Sequence, residues 1–190
     1  RRKYKTAPPI ESDSVWPCEG SICDWGLISE ISSTIVKGQT SNVENIFDLD
    51  DSAFIDSHYF VNIFLHNHNY HRVHSPINGI IKNIKTISGD LIFLRPWFFE
   101  KSKISTPAFR NERVVLEIED SHKKNWYLTM VGGFGVGSIE IKNSIQIGAS
   151  VLAGEELGHF NLGSTVCLAS PYKISVEKYL QKTSVGKKII

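Results

Sequence analysis

The sequence predicts a mainly β protein with few helices. Three observations carry that expectation. Runs of β-branched and aromatic residues such as Tyr59-Phe-Val-Asn-Ile-Phe-Leu65 are short enough for strands. Glycine turns separate many of them, at Gly20, Gly79, Gly89, Gly132-Gly133 and Gly154. Pro17-Cys-Glu-Gly-Ser-Ile22 and Pro76-Ile-Asn-Gly-Ile-Ile81 share the pattern P-x-[E/N]-G-x-I. Each precedes a strand-like run, which points to two related β-rich halves.

In chain order, residues 1–16 read as an irregular segment with Pro8-Pro9, and 17–170 as a single domain. Ile22 to Ile35 suits short strands. Ser41 is placed to cap a short helix over Asn42–Leu49, where Val43, Ile46, Phe47 and Leu49 fall at near-helical spacing. His58–Leu65 is a buried strand. Asn67–Ser75 is a histidine-rich loop or single helical turn ended by Pro76. Gly79–Ile87 alternates like a strand, and Gly89-Asp90 turns into Leu91–Leu94. Arg113–Glu119 and Trp126–Val131 form a hairpin around Ser121–Asn125. Further strands are expected at Ile139–Ile141, Ser150–Leu152 and Thr165–Ala169. Residues 171–190 are polar and read as a tail, partly helical or frayed.

Composition narrows the function classes. The formal net charge of +1 over 190 residues offers no field for non-specific nucleic-acid binding. Cys18, Cys23 and Cys167 are odd in number and show no C-x-x-C spacing, so they read as reduced thiols in a reducing compartment rather than disulfides or a zinc site. No run of about twenty apolar residues is present to span a membrane. The lone Met130 makes Arg1 an internal boundary or the end of a trimmed leader. Arg1-Arg-Lys-Tyr-Lys5 is basic, and reads as a solvated tail or a contact for anionic head groups.

Four segments could hold chemistry. His66-Asn-His-Asn-Tyr-His71-Arg-Val-His74 packs four of seven histidines into nine residues. No cysteine or carboxylate interleaves with them and there is no H-E-x-x-H pattern, so acid–base work is favoured over metal binding or an idle surface loop. His71 and His74, three apart, would lie side by side on one helical turn. Arg110 and Arg113, flanking Asn111-Glu112, suit either an ion-pair network or an anionic substrate group. Val131-Gly-Gly-Phe-Gly-Val-Gly137-Ser138-Ile139 lacks the Lys-Ser/Thr ending of a phosphate loop, and close strand packing explains it better. Gly163-Ser164 is, alone, an ordinary turn.

Taken in order, the segments Y-H-R-x-H-S-P (Tyr70–Pro76), F-R-N-E-R-V (Phe109–Val114), V-G-x-x-x-V-G-S-I (within Val131–Ile139) and G-E-E-L-G-x-F-x-x-G-S-T-V (Gly154–Val166) resemble the phosphatidylserine decarboxylase family. The resemblance runs from about Pro17 to about Ala169. It implies two β-rich halves like biotinyl or lipoyl carrier domains, and a proenzyme that cleaves itself between Gly163 and Ser164. The products would be a β chain 1–163 and an α chain 164–190 that remain associated, with a homodimer left open. Ser164 would become a pyruvoyl group, the only cofactor, with no metal. That group would serve to release CO2 from phosphatidylserine at a membrane surface, giving phosphatidylethanolamine.

Within the resemblance, His74 matches the base that activates Ser164. Pro17-Cys18-Glu19-Gly20 matches a P-V-D-G-like motif, so Glu19 stands where the family has an aspartate. His71 is assigned to the substrate side, with Arg110 and Arg113 as anion holders. Leu91–Phe99, with its aromatic end, reads either as a membrane-facing stretch or as a buried strand and loop. The alternatives are a soluble pyruvoyl-dependent decarboxylase of a free amino acid, or an unprocessed β-scaffold that binds without catalysis.

Overall fold

The architecture, in a computed structural model that describes residues 8–31, 34–36, 39–49, 55–90, 92, 106–133, 138–161 and 164–189, follows from strands too short to bury their apolar sides alone. In chain order these are β1 (Gly20–Leu27), β2 (Thr34–Val36), β3 (Gln39–Ser41), β4 (Tyr59–Leu65), β5 (Arg72–His74), β6 (Gly79–Ile87) and β7 (Arg113–Glu119). They continue as β8 (Asn125–Gly132), β9 (Ile139–Ile141), β10 (Ser150–Val151), β11 (Glu156–Phe160), β12 (Ser164–Ser170) and β13 (Lys182–Thr183). Only short helices interrupt them: a 3-10 turn at Ile28–Glu30, α1 (Glu44–Phe47) and α2 (Thr106–Arg110).

Eight strands form one antiparallel sheet in the order β10-β6-β7-β8-β12-β4-β1-β13. A second sheet has the order β5-β11-β9, and β2-β3 is a separate hairpin. The central strands of the large sheet are buried on both faces, whereas β6 near one edge is largely exposed on one side. Alternate residues such as Ile63, Leu65, Leu116, Leu128, Met130, Val166 and Leu168 join one core with Leu157 and Phe160 of β11. The intervening residues, including Phe60, Phe64, Val115, Tyr127 and Ala169, join a second core under Ile46 and Phe47 of α1. This double burial explains why β4, β8 and β12 read as continuous apolar runs without clean alternation.

Several expectations are revised. The helix begins with Glu44; Val43 stands at its N-cap without a side-chain bond. Residues 72–74 are strand, because Arg72, Val73 and His74 pair with His159, Gly158 and Glu156 of β11. His71 and His74 therefore do not share a helical turn. β11 itself was not expected; a charged residue, a glycine and a histidine weaken its apolar signal. The last residues are neither helical nor frayed where described. Lys182 and Thr183 pair with Ser21 and Gly20, Lys188 bridges to Val15, and Ile189 is buried in the first core. Val15 and Trp16 are likewise buried, so the irregular N-terminal segment is tied to the core at its end. The expected membrane-facing stretch Leu91–Phe99 lies outside the described residues except for Ile92, and Gly163 lies outside them too.

Candidate active site

β12 is an interior strand whose first residue, Ser164, pairs with Leu65 at the end of β4 and Gly132 at the end of β8. Its side chain thus points to the first core, the face that carries the small β5-β11-β9 sheet. Ser164 is wholly buried, and its Oγ has no hydrogen-bond partner among the described residues. A buried hydroxyl without a partner costs about 1–3 kcal/mol, so it calls for a reason.

The small sheet brings the histidine segment to this end of the molecule. The amide of Phe160, four residues before Ser164, donates to the carbonyl of His71 at 2.9 Å. The amide of Asn161 donates to the carbonyl of Ser138 at 2.7 Å. His71 and Ser138 therefore stand on either side of the chain just before it enters Ser164.

Each histidine has its tautomer set by a carbonyl. His71 Nδ1 donates to the carbonyl of Asn69 at 2.8 Å, leaving Nε2 with the lone pair in the neutral ring. His74 is buried; its Nδ1 donates to the carbonyl of Gly154 at 2.7 Å, and its Nε2 accepts from the Tyr70 hydroxyl at 3.1 Å. Tyr70 also stacks on the ring, with centroids 5.6 Å apart. Burial holds His74 below the usual imidazole range, against the pull of the Gly154 carbonyl. It is thus neutral, and basic at Nε2, at neutral pH. Gly154 is suited to this post, since its φ of +79° is one that other residues rarely adopt.

Glu19 lies beside the histidine segment. His74 N donates to the carbonyl of Pro17 at 2.8 Å, which docks the Pro17–Gly20 turn against β5. The Glu19 carboxylate accepts from Asn69 Nδ2 at 2.6 Å, and the His74 ring is held by Gly154 and Tyr70. Asn69 is buried and joins the parts: its Oδ1 accepts from His66 N at 2.8 Å, its Nδ2 binds Glu19, and its carbonyl holds His71. Sequence reasoning gave Asn69 and Tyr70 no role. Tyr70 entered only as the first residue of the Tyr70–Pro76 motif, and Asn69 had no signal beyond adjacency to the histidines.

The two arginines differ. Arg113 donates to four main-chain carbonyls, those of Ile46, Asn45, Phe109 and Asn111, fastening the ends of α1 and α2 to β7. Arg110 donates through Nε and Nη2 to Asp90 at 2.9 and 2.7 Å, and its side chain is partly exposed. Asn111 is fully buried, and its Nδ2 donates to the carbonyls of Gly132 and Ile92, both at 2.8 Å, holding the end of β8 in place. Among the described residues, no three His, Cys, Asp or Glu side chains cluster as a metal site requires.

A family model described as phosphatidylserine decarboxylase matches residues 1–190. The chain belongs to that family. It is 32% identical to the phosphatidylserine decarboxylase proenzyme of Erwinia tasmaniensis, over 92% of this chain and 66% of that protein. Against the proenzyme of the same name from Geobacillus sp. (strain WCH70) the identity is 27%, over 88% of this chain and 64% of the relative. Against that of Citrobacter koseri it is 29%, over 94% and 63%. The chain thus spans a little under two thirds of the length of these curated relatives. Parts of the family motifs converge in space: His71, Asn111, Ser138 and Ser164 meet around the ends of β8 and β11 and the start of β12, whereas His74 pairs with Glu156 at the start of β11.

Proposed function

We propose that this chain is the catalytic part of a self-processing phosphatidylserine decarboxylase. It breaks its own backbone between Gly163 and Ser164, makes a pyruvoyl group from Ser164, and with it converts phosphatidylserine to phosphatidylethanolamine and CO2. The observation that carries this reading is the Ser164 hydroxyl, wholly buried and unpartnered in a family whose relatives are named proenzymes.

The residues present fit the processing chemistry. Gly132 opposite Ser164 carries no side chain, and Ser138 Oγ fills the place where its Cβ would stand. In the first step Ser164 Oγ adds to the carbonyl carbon of Gly163, the Gly163–Ser164 C–N bond breaks, and the hydroxyl proton ends on the freed Ser164 nitrogen. The result is an ester isomeric with the peptide. Loss of the Ser164 Cα proton then expels the Gly163 carboxylate and leaves dehydroalanine, and water replaces its nitrogen as ammonia. His74, neutral and oriented by Gly154, is our base for the first proton, with Nε2 freed when Tyr70 swings away. Glu19 acts through Asn69, which fixes the ring of His71.

Once made, the ketone at position 164 supplies an electron sink for decarboxylation. His71 Nε2, after taking up a proton while Nδ1 stays on the Asn69 carbonyl, gives it to the carbon that has lost CO2. Arg110 is the cation we assign to the substrate's anionic group, whereas Arg113 is spent on the fold. The phospholipid substrate implies work at a membrane surface facing a reducing compartment, consistent with three free thiols. No helix among the described residues is long and apolar enough to cross a membrane. The division into two carrier-like β halves rests on the Pro17–Ile22 and Pro76–Ile81 echo alone, since the large sheet runs continuously through its eight strands.

One observation favours a second reading, an uncleaved scaffold: both ring nitrogens of His74 are already engaged. Denaturing mass spectrometry separates the two. Two fragments separated between 163 and 164, the smaller blocked to N-terminal sequencing, support the enzyme. A lasting single chain of 21.4 kDa overturns it. With processed protein, turnover of phosphatidylserine vesicles but not of free serine or tryptophan supports the lipid substrate.

A further inference from the structure

Ser164 is not the only orphan at this site. Ser138, just ahead of β9, is 2% exposed, and its Oγ also lacks a hydrogen-bond partner among the described residues. The two serines meet at Gly132. Ser164 pairs with Gly132 across the β12–β8 ladder, so both direct their side-chain positions to one face. A Cβ built on Gly132 would collide with Ser138 Oγ. Ser138 therefore occupies, with its hydroxyl, the side-chain space that Gly132 leaves empty. Paired residues on one face hold their Cβ positions about 4.5–5.5 Å apart, which makes the two hydroxyls neighbours.

The seat is built. Asn111 holds the Gly132 carbonyl, the Gly132 amide donates to the carbonyl of Glu112 at 2.9 Å, and Asn161 N holds the carbonyl of Ser138 at 2.7 Å. Two unpaired hydroxyls so close together would each carry a penalty that alanine at either position would remove. Their presence asks for a partner that arrives later.

We propose that Ser138 is a positioning residue for residue 164. Its hydroxyl hydrogen-bonds with the Ser164 hydroxyl as that group turns toward the Gly163 carbonyl. A serine suits the task because its hydroxyl can donate and accept. The inference rests on the reading of Ser164 as the processing site. No electrons or atoms move at Ser138: its O–H bond stays intact throughout.

The test compares the full chain with Ser138→Ala and Ser138→Thr, following loss of the uncleaved chain by denaturing mass spectrometry. Thermal midpoints of Ser138→Ala and Ser138→Thr are measured in a Ser164→Ala background, where processing is removed. Ser138→Ala is expected to slow cleavage by about tenfold or more, the value of one hydrogen bond at the reacting group, while leaving the midpoint unchanged or raised. Ser138→Thr, which keeps the hydroxyl, is expected to restore cleavage. Cleavage of Ser138→Ala within about twofold of the parent overturns the proposal. So does slow cleavage with a lowered midpoint, which marks a structural role, or slow cleavage of Ser138→Thr at an unchanged midpoint. Failure of the parent chain to cleave overturns the processing reading itself, and this proposal with it.

Discussion

Asn69 donates through Nδ2 to the Glu19 carboxylate at 2.6 Å while its own carbonyl accepts from His71 Nδ1 at 2.8 Å. The acid is thus coupled to His71 through an amide, and the ring of His74 is oriented by a main-chain carbonyl instead. The extra methylene of glutamate over aspartate has a use in this arrangement, since it reaches Asn69.

Asn69→Ala is expected to slow processing by about tenfold to a hundredfold. It strands the Glu19 carboxylate and removes the acceptor from His66 N. Glu19→Gln, which keeps a hydrogen-bonding group of the same length, is expected to lose less. The time course of chain cleavage checks both; an Asn69→Ala chain that matures at the parent rate would refute the coupling.

Asp24 makes stability depend on pH. It lies on β1 opposite Asn62, and burial alone lifts its carboxyl to about 6. A carboxyl raised in the fold binds its proton more tightly there than in the unfolded chain. Its contribution is therefore present below about pH 4 and is lost as pH rises through about 6. Asp24→Asn is expected to raise the unfolding midpoint at pH 7–8 and to change it little near pH 4, the gap approaching about 3 kcal/mol at most. Denaturant titrations at the two pH values measure it.

Arg113→Met should destabilise by about 2–4 kcal/mol, because four carbonyls lose a charged donor and α1 and α2 lose their tie to β7. Arg110→Met removes only a partly exposed pair with Asp90 and should cost less than about 1 kcal/mol. Chemical denaturation of the uncleaved Ser164→Ala chain gives the comparison without interference from processing. Equal losses would contradict the division of labour between the two arginines.

Tyr70→Phe tests what occupies His74. Removal of the hydroxyl frees His74 Nε2 while leaving a ring to stack on it. Processing is expected to be as fast as in the parent, or faster by up to about tenfold, the worth of one hydrogen bond. A marked slowing would make Tyr70 an active participant rather than a gate.

The legible parts of this fold were those whose residues decide their own conformation. Gly79–Ile87, Arg113–Glu119 and Trp126–Val131 are rich in β-branched or aromatic residues and lie within about a residue of β6, β7 and β8. β11 and β13 were illegible because their composition is mixed and their strand character comes from partners far along the chain: β5 and β9 for one, β1 for the other. The same holds at the site. Ser164, His71, His74 and Glu19 could be singled out from motifs, but the bonds made by Asn69, and the seating of Ser138 against Gly132, are long-range facts. A glycine at the end of an apolar strand is the one trace such a seat leaves in a sequence.

The sheet order has a consequence for the life history of the molecule. β12 lies between β8 and β4, and β13 closes the far edge on β1. Scission at 163/164 would leave a 27-residue fragment supplying an interior strand, held by ladders on both sides and by Thr183 and Lys182 bonds to Cys18 and Ser21. Before scission, refolding is a first-order event within one chain. Afterwards it becomes a second-order encounter between two pieces, one too short to fold by itself. Maturation would therefore act as a ratchet: the precursor can be unfolded and recovered, whereas the mature pair, once separated, recovers only as fast as its fragments find each other.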